Sequence, residues 1–176
     1  MKINNYRLLF YSVICLFYSA FLFSQKNTFL ENEGELKKFE PHFRFEYSGT
    51  IGFSTNKDYK FLVGGEGGLL YYFNKKNALT INFGYNYAFD GNTKELGYIP
   101  LKTGFKTFIQ TGRIYLQGEV GMGVSTTKGY NGSGFLWAPS VGYITHSGID
   151  LGLKYESLSK FNSNQILLRT AYSFKI

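Results

Sequence analysis

A period of two in hydropathy, which begins after Pro41, constrains this chain more than any other feature. In the clearest segment every second residue is large and apolar: Leu79, Ile81, Phe83, Tyr85, Tyr87 and Phe89. The residues between them are small or polar: Thr80, Asn82, Gly84, Asn86 and Ala88. Because successive side chains of a β-strand point to opposite faces, this pattern predicts a strand with one apolar and one polar face.

The same alternation recurs in eight segments after Pro41, which are 42–53, 61–73, 79–89, 99–109, 114–124, 135–143, 149–156 and 166–176. Tight polar turns alternate with somewhat longer connections along the chain. The turns are 74–77, 110–112 and 145–148, and the longer connections are 54–59, 90–96, 126–134 and 158–164. The segments lack the spacings of three and four that an amphipathic helix requires. The sequence therefore predicts an all-β fold, an eight-stranded antiparallel up-and-down barrel with short turns.

Alternation does not say which face meets the surroundings, so a soluble barrel with aromatic residues inside is an alternative to a transmembrane one. An eight-stranded barrel is only just wide enough to be filled by its own side chains, and the aromatic face carries too many large ones for that lumen. The opposite face is rich in glycine, which suits a crowded lumen and weakens a strand that faces water. We therefore predict a transmembrane β-barrel with its apolar face toward lipid and a filled polar lumen.

Composition narrows the possible chemistry. Aromatic residues make up 19% of the chain and charged residues 18%, which excludes a disordered protein. The chain has one Cys and two His, so it cannot form a disulfide framework and has few residues for a zinc site or for acid–base catalysis. We expect no cofactor, no metal site and no catalytic residue.

The N-terminal 24 residues have the organisation of a secretory signal peptide. Lys2 and Arg7 precede an apolar stretch that runs from Leu8 to Phe23, and Ser24 is a small residue suited to cleavage. A transmembrane anchor is the alternative, but the stretch is shorter than the roughly 20 residues that span a bilayer. We predict a signal peptide at 1–24, a periplasmic leader at 25–41 and a barrel at 42–176.

A secretory signal and a membrane domain built of strands together predict a location in the outer membrane of a Gram-negative bacterium. Both chain ends are predicted to lie in the periplasm. The net charge of +7 would suggest nucleic acid as a partner of a cytosolic protein, but not of an exported one. We expect outer-membrane lipid and lipopolysaccharide as partners. Lysines in the outer loops could meet lipopolysaccharide phosphates: Lys57, Lys60, Lys94, Lys128 and Lys160, with Tyr130 and Asn131 in the longest of these loops.

The polar face carries nearly equal numbers of acidic and basic residues. We predict a structural ion-pair network in the lumen from Glu46, Glu66, Lys102, Lys106, Glu119, Lys154, Glu156 and Arg169. Estimated strand heights predict two cross-strand pairs, Lys102 with Glu119 and Glu156 with Arg169. The alternative is that these charges line a path for small solutes or ions, as in a pore.

Aromatic residues at the strand ends suit the two interfacial girdles of a membrane barrel. The predicted girdle residues are Phe53, Phe61, Phe73, Phe89, Trp137, Tyr143, Tyr172 and Phe174. A lipid A-modifying or lipid-binding enzyme is a further alternative, for which His42 and the pair His146-Ser147 are the candidates. Both candidate positions fall at a strand start or a turn on the predicted periplasmic side, away from surface lipid A.

The last five residues, Tyr172-Ser173-Phe174-Lys175-Ile176, alternate aromatic and polar positions. With the signal peptide and the eight strands, this ending resembles the small outer-membrane barrels of the OmpA/OmpX type. The stretches 98–104 and 153–156 are similar to those of sequences described as an outer membrane protein beta-barrel domain. The resemblance covers about residues 42–176 and implies a barrel whose last strand is read by the barrel-assembly machinery. It implies no single activity, because that family includes passive barrels, adhesins and lipid enzymes.

Overall fold

A computed structural model describes residues 39–55, 59–89, 95–109, 113–129 and 132–176 of the chain. The predicted signal peptide, 1–24, and most of the predicted leader, 25–41, lie outside the described residues. Across the described part of the chain, there is no helix with the length and apolarity needed to cross a membrane.

Eight strands form a closed barrel in which each strand pairs antiparallel with the next and β8 pairs with β1. The strands are β1 (His42–Ser54), β2 (Phe61–Tyr72), β3 (Asn77–Phe89), β4 (Glu95–Ile109), β5 (Ile114–Ser125), β6 (Ser133–Ile144), β7 (Ile149–Leu158) and β8 (Ser163–Lys175). The predicted fold class, an eight-stranded antiparallel up-and-down barrel, is confirmed. Closure leaves no strand edge unpaired, which a sheet in hydrocarbon requires.

The connections fall into two sets, one at each end of the barrel. The short ones, 73–76, 110–113 and 145–148, lie at the end of the barrel that also holds the start of β1 and the end of β8, which we call the turn side. The other connections lie at the loop side. Those at 55–60, 90–94 and 126–132 are longer than the turns, but the one at 159–162, which was predicted to be longer, has four residues like each turn. Several strand boundaries differ from the prediction by one to four residues. β4 begins at Glu95 rather than at residue 99, and a 3₁₀ turn at Ser159–Phe161 lies within the predicted last loop.

The apolar and polar faces separate as the alternation predicts. On β3 the side chains of Leu79, Ile81 and Phe83 are exposed, with Phe83 57% accessible. Thr80 and Asn82, which lie between them, are buried in the lumen at 1% and 5% exposure. Large exposed apolar side chains of this kind occur on all eight strands, so the outside of the barrel is an apolar band.

The strands are strongly tilted with respect to the barrel axis. A path from Phe45 through successive cross-strand partners returns to β1 at Thr55, ten residues further along; it passes Leu69, Ile81, Thr103, Val120, Trp137, Ser157 and Asn164. A stagger of this size in an eight-stranded barrel corresponds to a tilt of about 35–45°. Residues at equal distances from their strand ends therefore do not lie side by side.

Candidate functional site

The centre of the lumen holds nine buried charged residues in two groups. The loop-side layer comprises Glu66, Lys102, Glu119, Lys154 and Glu156, and the turn-side layer comprises Glu46, Lys106, Asp150 and Arg169. All nine are at most 6% exposed. Burial of this degree is costly for a charge unless it is paired and hydrogen-bonded.

Two lysines hold the loop-side layer together. Lys102 Nζ lies 2.7 Å from Glu66 Oε1, 3.1 Å from Glu156 Oε2 and 3.8 Å from Glu119 Oε2. Lys154 Nζ lies 3.1 Å from Glu66 and 3.3 Å from Glu156. Each lysine thus bridges the same two carboxylates, from β2 and β7, and this links strands on opposite sides of the lumen.

Neutral donors complete the loop-side layer. The Tyr98 hydroxyl donates to Glu156 Oε1 at 2.5 Å, and Asn86 Nδ2 donates to the same oxygen at 3.0 Å. Asn82 Nδ2 donates to Glu119 Oε1 at 2.5 Å. These side chains come from the polar face of β3 and β4, so the alternation that places apolar rings outside also delivers these donors to the lumen.

The turn-side layer is a four-membered ring of alternating charge. Lys106 Nζ lies 2.8 Å from Asp150 Oδ2 and 3.4 Å from Glu46 Oε2. Arg169 Nη1 lies 3.1 Å from Asp150 Oδ2, and Arg169 Nη2 pairs with Glu46 Oε1. The Tyr115 hydroxyl donates to Asp150 Oδ1 at 2.6 Å, and its ring centroid lies 4.0 Å from Lys106 Nζ.

Glycines stand opposite several of these long side chains. Glu66 is the cross-strand partner of Gly84, and Lys102 is that of Gly121. A Cβ on Gly84 would lie 2.7 Å from the Cα of Glu66, and one on Gly121 would lie 2.8 Å from the Cα of Lys102. The absence of a side chain at these positions gives the charged side chains room to turn toward the axis.

Of the two predicted cross-strand pairs, one is present in the structure and the other is not. Lys102 and Glu119 lie within 3.8 Å, although Glu66 and Glu156 are nearer to the lysine. The predicted pair of Glu156 with Arg169 is wrong. In the register of β7 and β8, Glu156 lies opposite Gln165 and Arg169 lies opposite Gly152. Glu156 and Arg169 are therefore four residues apart along the strands, a distance of about 13 Å. Arg169 pairs instead with Asp150 and Glu46.

Each charged layer is covered by an apolar cluster that the sequence analysis missed. The loop-side cluster comprises Tyr59, Leu62, Ala88, Leu96, Tyr98, Leu136, Ala138, Leu158 and Leu167, with Phe161 packed against it. The turn-side cluster comprises Leu70, Tyr72, Ala78, Phe108, Tyr115 and Ile144, with Phe39 packed against it. The lumen is therefore apolar, charged and apolar again along its axis. The sequence contained a signal for these clusters, because large apolar residues occur at the inward-facing positions of the strands only near the strand ends.

The two histidines lie on separate elements at the turn side. His42 Nδ1 contacts the backbone oxygen of Glu40 at 3.0 Å, and its ring stacks on Tyr72 at 5.2 Å. His146 contacts the guanidinium of Arg113, while Ser147 Oγ lies 2.9 Å from Thr145 Oγ1. Among the described residues, no cluster of three or more His, Cys, Asp and Glu side chains could bind a metal ion.

The aromatic residues predicted for the girdles lie on the outer face. At the loop side the rings of Phe53, Phe61 and Phe89 form a row, with centroids 5.5 Å and 5.2 Å apart. Trp137 lies further from that rim and packs on Tyr155 at 5.2 Å. Toward the turn side, Phe73 packs 6.2 Å from Phe105, and Phe174 packs 5.8 Å from Phe45; Tyr143 and Tyr172 lie near the same rim. Their position at membrane interfaces remains a prediction.

Part of the predicted basic surface of the outer loops lies in the described residues. Lys60, Lys128 and Lys160 are exposed at the loop side. Lys57, Lys94, Tyr130 and Asn131 lie outside the described residues.

No protein-family model matches the chain, and no curated protein matches it. Several solved structures do. A de novo designed transmembrane β-barrel aligns with a TM-score of 0.53 at 15% identity, over 78% of this chain and 99% of the design. The chain has the fold of a transmembrane β-barrel.

Ail, the attachment invasion locus protein of Yersinia pestis, shares this fold. In complex with the heparin analogue sucrose octasulfate it aligns with a TM-score of 0.51 at 15% identity, over 76% of this chain and 97% of Ail. In a phospholipid bilayer nanodisc it aligns with the same TM-score at 17% identity, over 73% of this chain and 99% of Ail. The likeness is one of fold, and it agrees with the OmpA/OmpX-type resemblance of the sequence.

Proposed function

We propose that this protein is an integral outer-membrane barrel with a structural or surface-interaction role, and that its charged lumen is a plug rather than a path. The observation that carries this proposal is the order of layers along the axis. Two groups of mutually paired charges fill the middle, and apolar clusters cover both. A hydrated ion would have to separate buried pairs and also cross two apolar constrictions, each of which opposes hydration.

The proposed orientation places the turn side, with both chain ends, in the periplasm and the longer loops outside. Three features support it: the predicted signal peptide, the greater length of three of the four loop-side connections, and the aromatic ending of β8. In this orientation the exposed Lys60, Lys128 and Lys160 face the surface, where lipopolysaccharide phosphates would be their partners. The barrel-assembly machinery would meet β8 during insertion.

The proposed role is non-catalytic. His42 and His146, the residues considered for a lipid-modifying enzyme, contact a backbone oxygen and a guanidinium and lie at the turn side. In the proposed orientation that side is remote from surface lipid A.

Planar-bilayer recording tests the plug directly. We expect the purified barrel, inserted at neutral pH, to show no stepwise conductance under conditions in which an open porin is active. Heat-modifiable migration on a denaturing gel serves as the control that the barrel in each sample is folded. Steady channel openings from a folded sample would overturn the plug and favour the pore alternative.

A further inference from the structure

The loop-side layer contains one more acidic side chain than basic side chains. Its carboxylates belong to Glu66, Glu119 and Glu156, its ammonium groups belong to Lys102 and Lys154, and all five residues are at most 6% exposed. The turn-side layer is balanced, because it pairs two carboxylates with two cations. An uncompensated buried charge is costly, so the loop-side layer requires one further positive charge.

Glu119 is the carboxylate that the two lysines compensate least. Its Oε2 lies 3.8 Å from Lys102 Nζ, whereas Glu66 and Glu156 each lie within 3.3 Å of both lysines. Its other oxygen, Oε1, accepts a hydrogen bond from the neutral amide of Asn82. The excess negative charge of the layer therefore lies at Glu119.

The other inward-facing bases have partners elsewhere. The two cations of the turn-side layer are held by the carboxylates of that layer. Arg44 lies near the turn-side rim, where its Nη2 donates to the backbone oxygen of Ser173 at 2.9 Å. Among the residues that the structure describes, Lys102 is the only base in an ion pair with Glu119, so these residues do not supply the missing charge.

Two unpartnered oxygen atoms lie on the wall of the lumen that carries Glu119. Thr80 and Glu119 flank Gly104 from the two neighbouring strands. A Cβ built on Gly104 would lie 2.9 Å from Glu119 Cγ and 3.0 Å from Thr80 Oγ1, so both side chains border the same small space. Gln117 precedes Glu119 by two residues on the same inward face. Thr80 Oγ1 and Gln117 Oε1 are buried, and neither has a hydrogen-bond partner within the described ranges.

We propose that Glu119, Thr80 and Gln117 bind one monovalent metal cation of the size of Na⁺. The three side chains offer a carboxylate, a hydroxyl and an amide oxygen, and hard cations are bound through oxygen ligands of these kinds. A monovalent ion neutralises the layer, whereas a divalent ion would replace the negative excess by a positive one. The site uses one carboxylate and no His or Cys, so it differs from the metal sites that the composition led us not to expect.

A cation meets the demands of this site more fully than a proton or a water molecule. A proton on Glu119 removes the charge but provides one donor for three side chains. A water molecule donates two hydrogen bonds but carries no charge. A cation compensates the charge and is bound by all three side chains at once.

The apolar clusters determine when the ion can enter. They cover both charged layers, so the ion is taken up as the barrel closes rather than through the finished lumen. The site therefore goes beyond the proposed plug and is compatible with it.

Urea titration of the barrel in micelles of an uncharged detergent tests the site. Unfolding is compared in NaCl and in N-methyl-D-glucamine chloride at equal ionic strength, because the second cation is too large for a buried site. Only the folded barrel forms the site. The unfolding equilibrium constant of the wild type should therefore fall about tenfold for each tenfold rise in Na⁺ once Na⁺ exceeds its Kd.

Three variants assign the effect to this site. Glu119→Gln removes the excess charge, so its stability should be the same in both salts. Thr80→Val removes one ligand and should need roughly tenfold more Na⁺ for the same gain in stability. Thr50→Val is the matched control, since Thr50 Oγ1 is also buried and without a partner in the described part of the chain. Thr50 lies on β1, opposite Gly64 and Arg169, and this variant should respond to Na⁺ like the wild type.

Equal stability of the wild type in the two salts would overturn the proposal, as would an unchanged Na⁺ response in Glu119→Gln. A barrel that ignores Na⁺ but gains stability as the pH falls from neutral would hold a proton instead of a metal ion. If Glu119→Gln does not fold, the comparison of Thr80→Val with Thr50→Val decides, and equal responses of these two contradict the site. Stability is measured here and conductance is not, so a failed plug and a failed cation site are distinguishable.

Discussion

At the scale of single residues, the charged side chains of the lumen form networks because several of them share the same partners. Arg169 reaches Asp150 on the adjacent strand β7 and Glu46 on the adjacent strand β1. The carboxylates of Glu66 and Glu156 are each contacted by the same two lysines. In such a network the loss of one member leaves a buried charge uncompensated, which costs more than the pair contributes.

Arg169→Ala should therefore lower the free energy of unfolding by about 3–5 kcal/mol, measured by urea titration in detergent micelles. A double-mutant cycle identifies the partner. The coupling between Arg169→Ala and Asp150→Ala should be about 0.5–3 kcal/mol, because the two side chains touch. The coupling between Arg169→Ala and Glu156→Ala should be close to zero. Strong coupling in the second cycle, with none in the first, would restore the pairing that simple strand heights suggest.

Residue-level pairing was the part of the site that the sequence could not predict. The identity of the lumen charges follows from the alternation alone, and all eight of the residues in the predicted network are buried. Their partners depend on the stagger between strands. Lys102 and Glu119 are offset by two residues, a diagonal that long side chains span, so an approximate height was sufficient for them. Glu156 and Arg169 are offset by four, which exceeds that reach.

At the scale of strands, the positions of glycines and large side chains determine how closely neighbouring strands pack around the barrel axis. Gly84 on β3 faces Glu66 on β2, and the backbone of β2 occupies the space that a side chain would need. Gly118 on β5 lies on the opposite, outer face, where the space is open. The same residue type therefore has a structural requirement at one position and none at the other.

Gly84→Ala should destabilise the barrel by about 1–3 kcal/mol, since a new Cβ would lie 2.7 Å from the Cα of Glu66 and force the strands apart. Gly118→Ala, the matched control, should change the free energy of unfolding by no more than about 0.5 kcal/mol. Both values come from the same urea titration. Equal effects of the two substitutions would show that strand propensity, rather than lumen crowding, explains the glycines.

The existence of the strands and the direction in which their side chains face were predictable, because a hydropathy period of two is a direct consequence of strand geometry. The start of β4 was not, since Leu96, Gly97 and Tyr98 are all buried and break the alternation there. The 3₁₀ turn at Ser159–Phe161 depends on Asn162 in the left-handed region, with φ of 47°. Neither feature has a periodic signal.

At the scale of the whole molecule, one division organises the structure: apolar side chains outside, charged side chains at the axis, and apolar clusters above and below those charges. A soluble protein of this size could not expose such a band to water. The division therefore accounts for the closed sheet, the glycine-rich inner face and the filled lumen.

The most direct test of that division is spin-label accessibility at neighbouring positions of β3. The mature chain contains no cysteine if the predicted signal peptide is removed, because Cys15 is the only one, so single cysteines can be introduced at Phe83 and Asn82. In lipid vesicles, we predict that a label at position 83 collides freely with oxygen dissolved in the bilayer and little with a water-soluble nickel chelate. A label at position 82 should be protected from both reagents. A label at position 83 that is shielded from oxygen, beside one at position 82 that is open to the nickel chelate, would contradict the account.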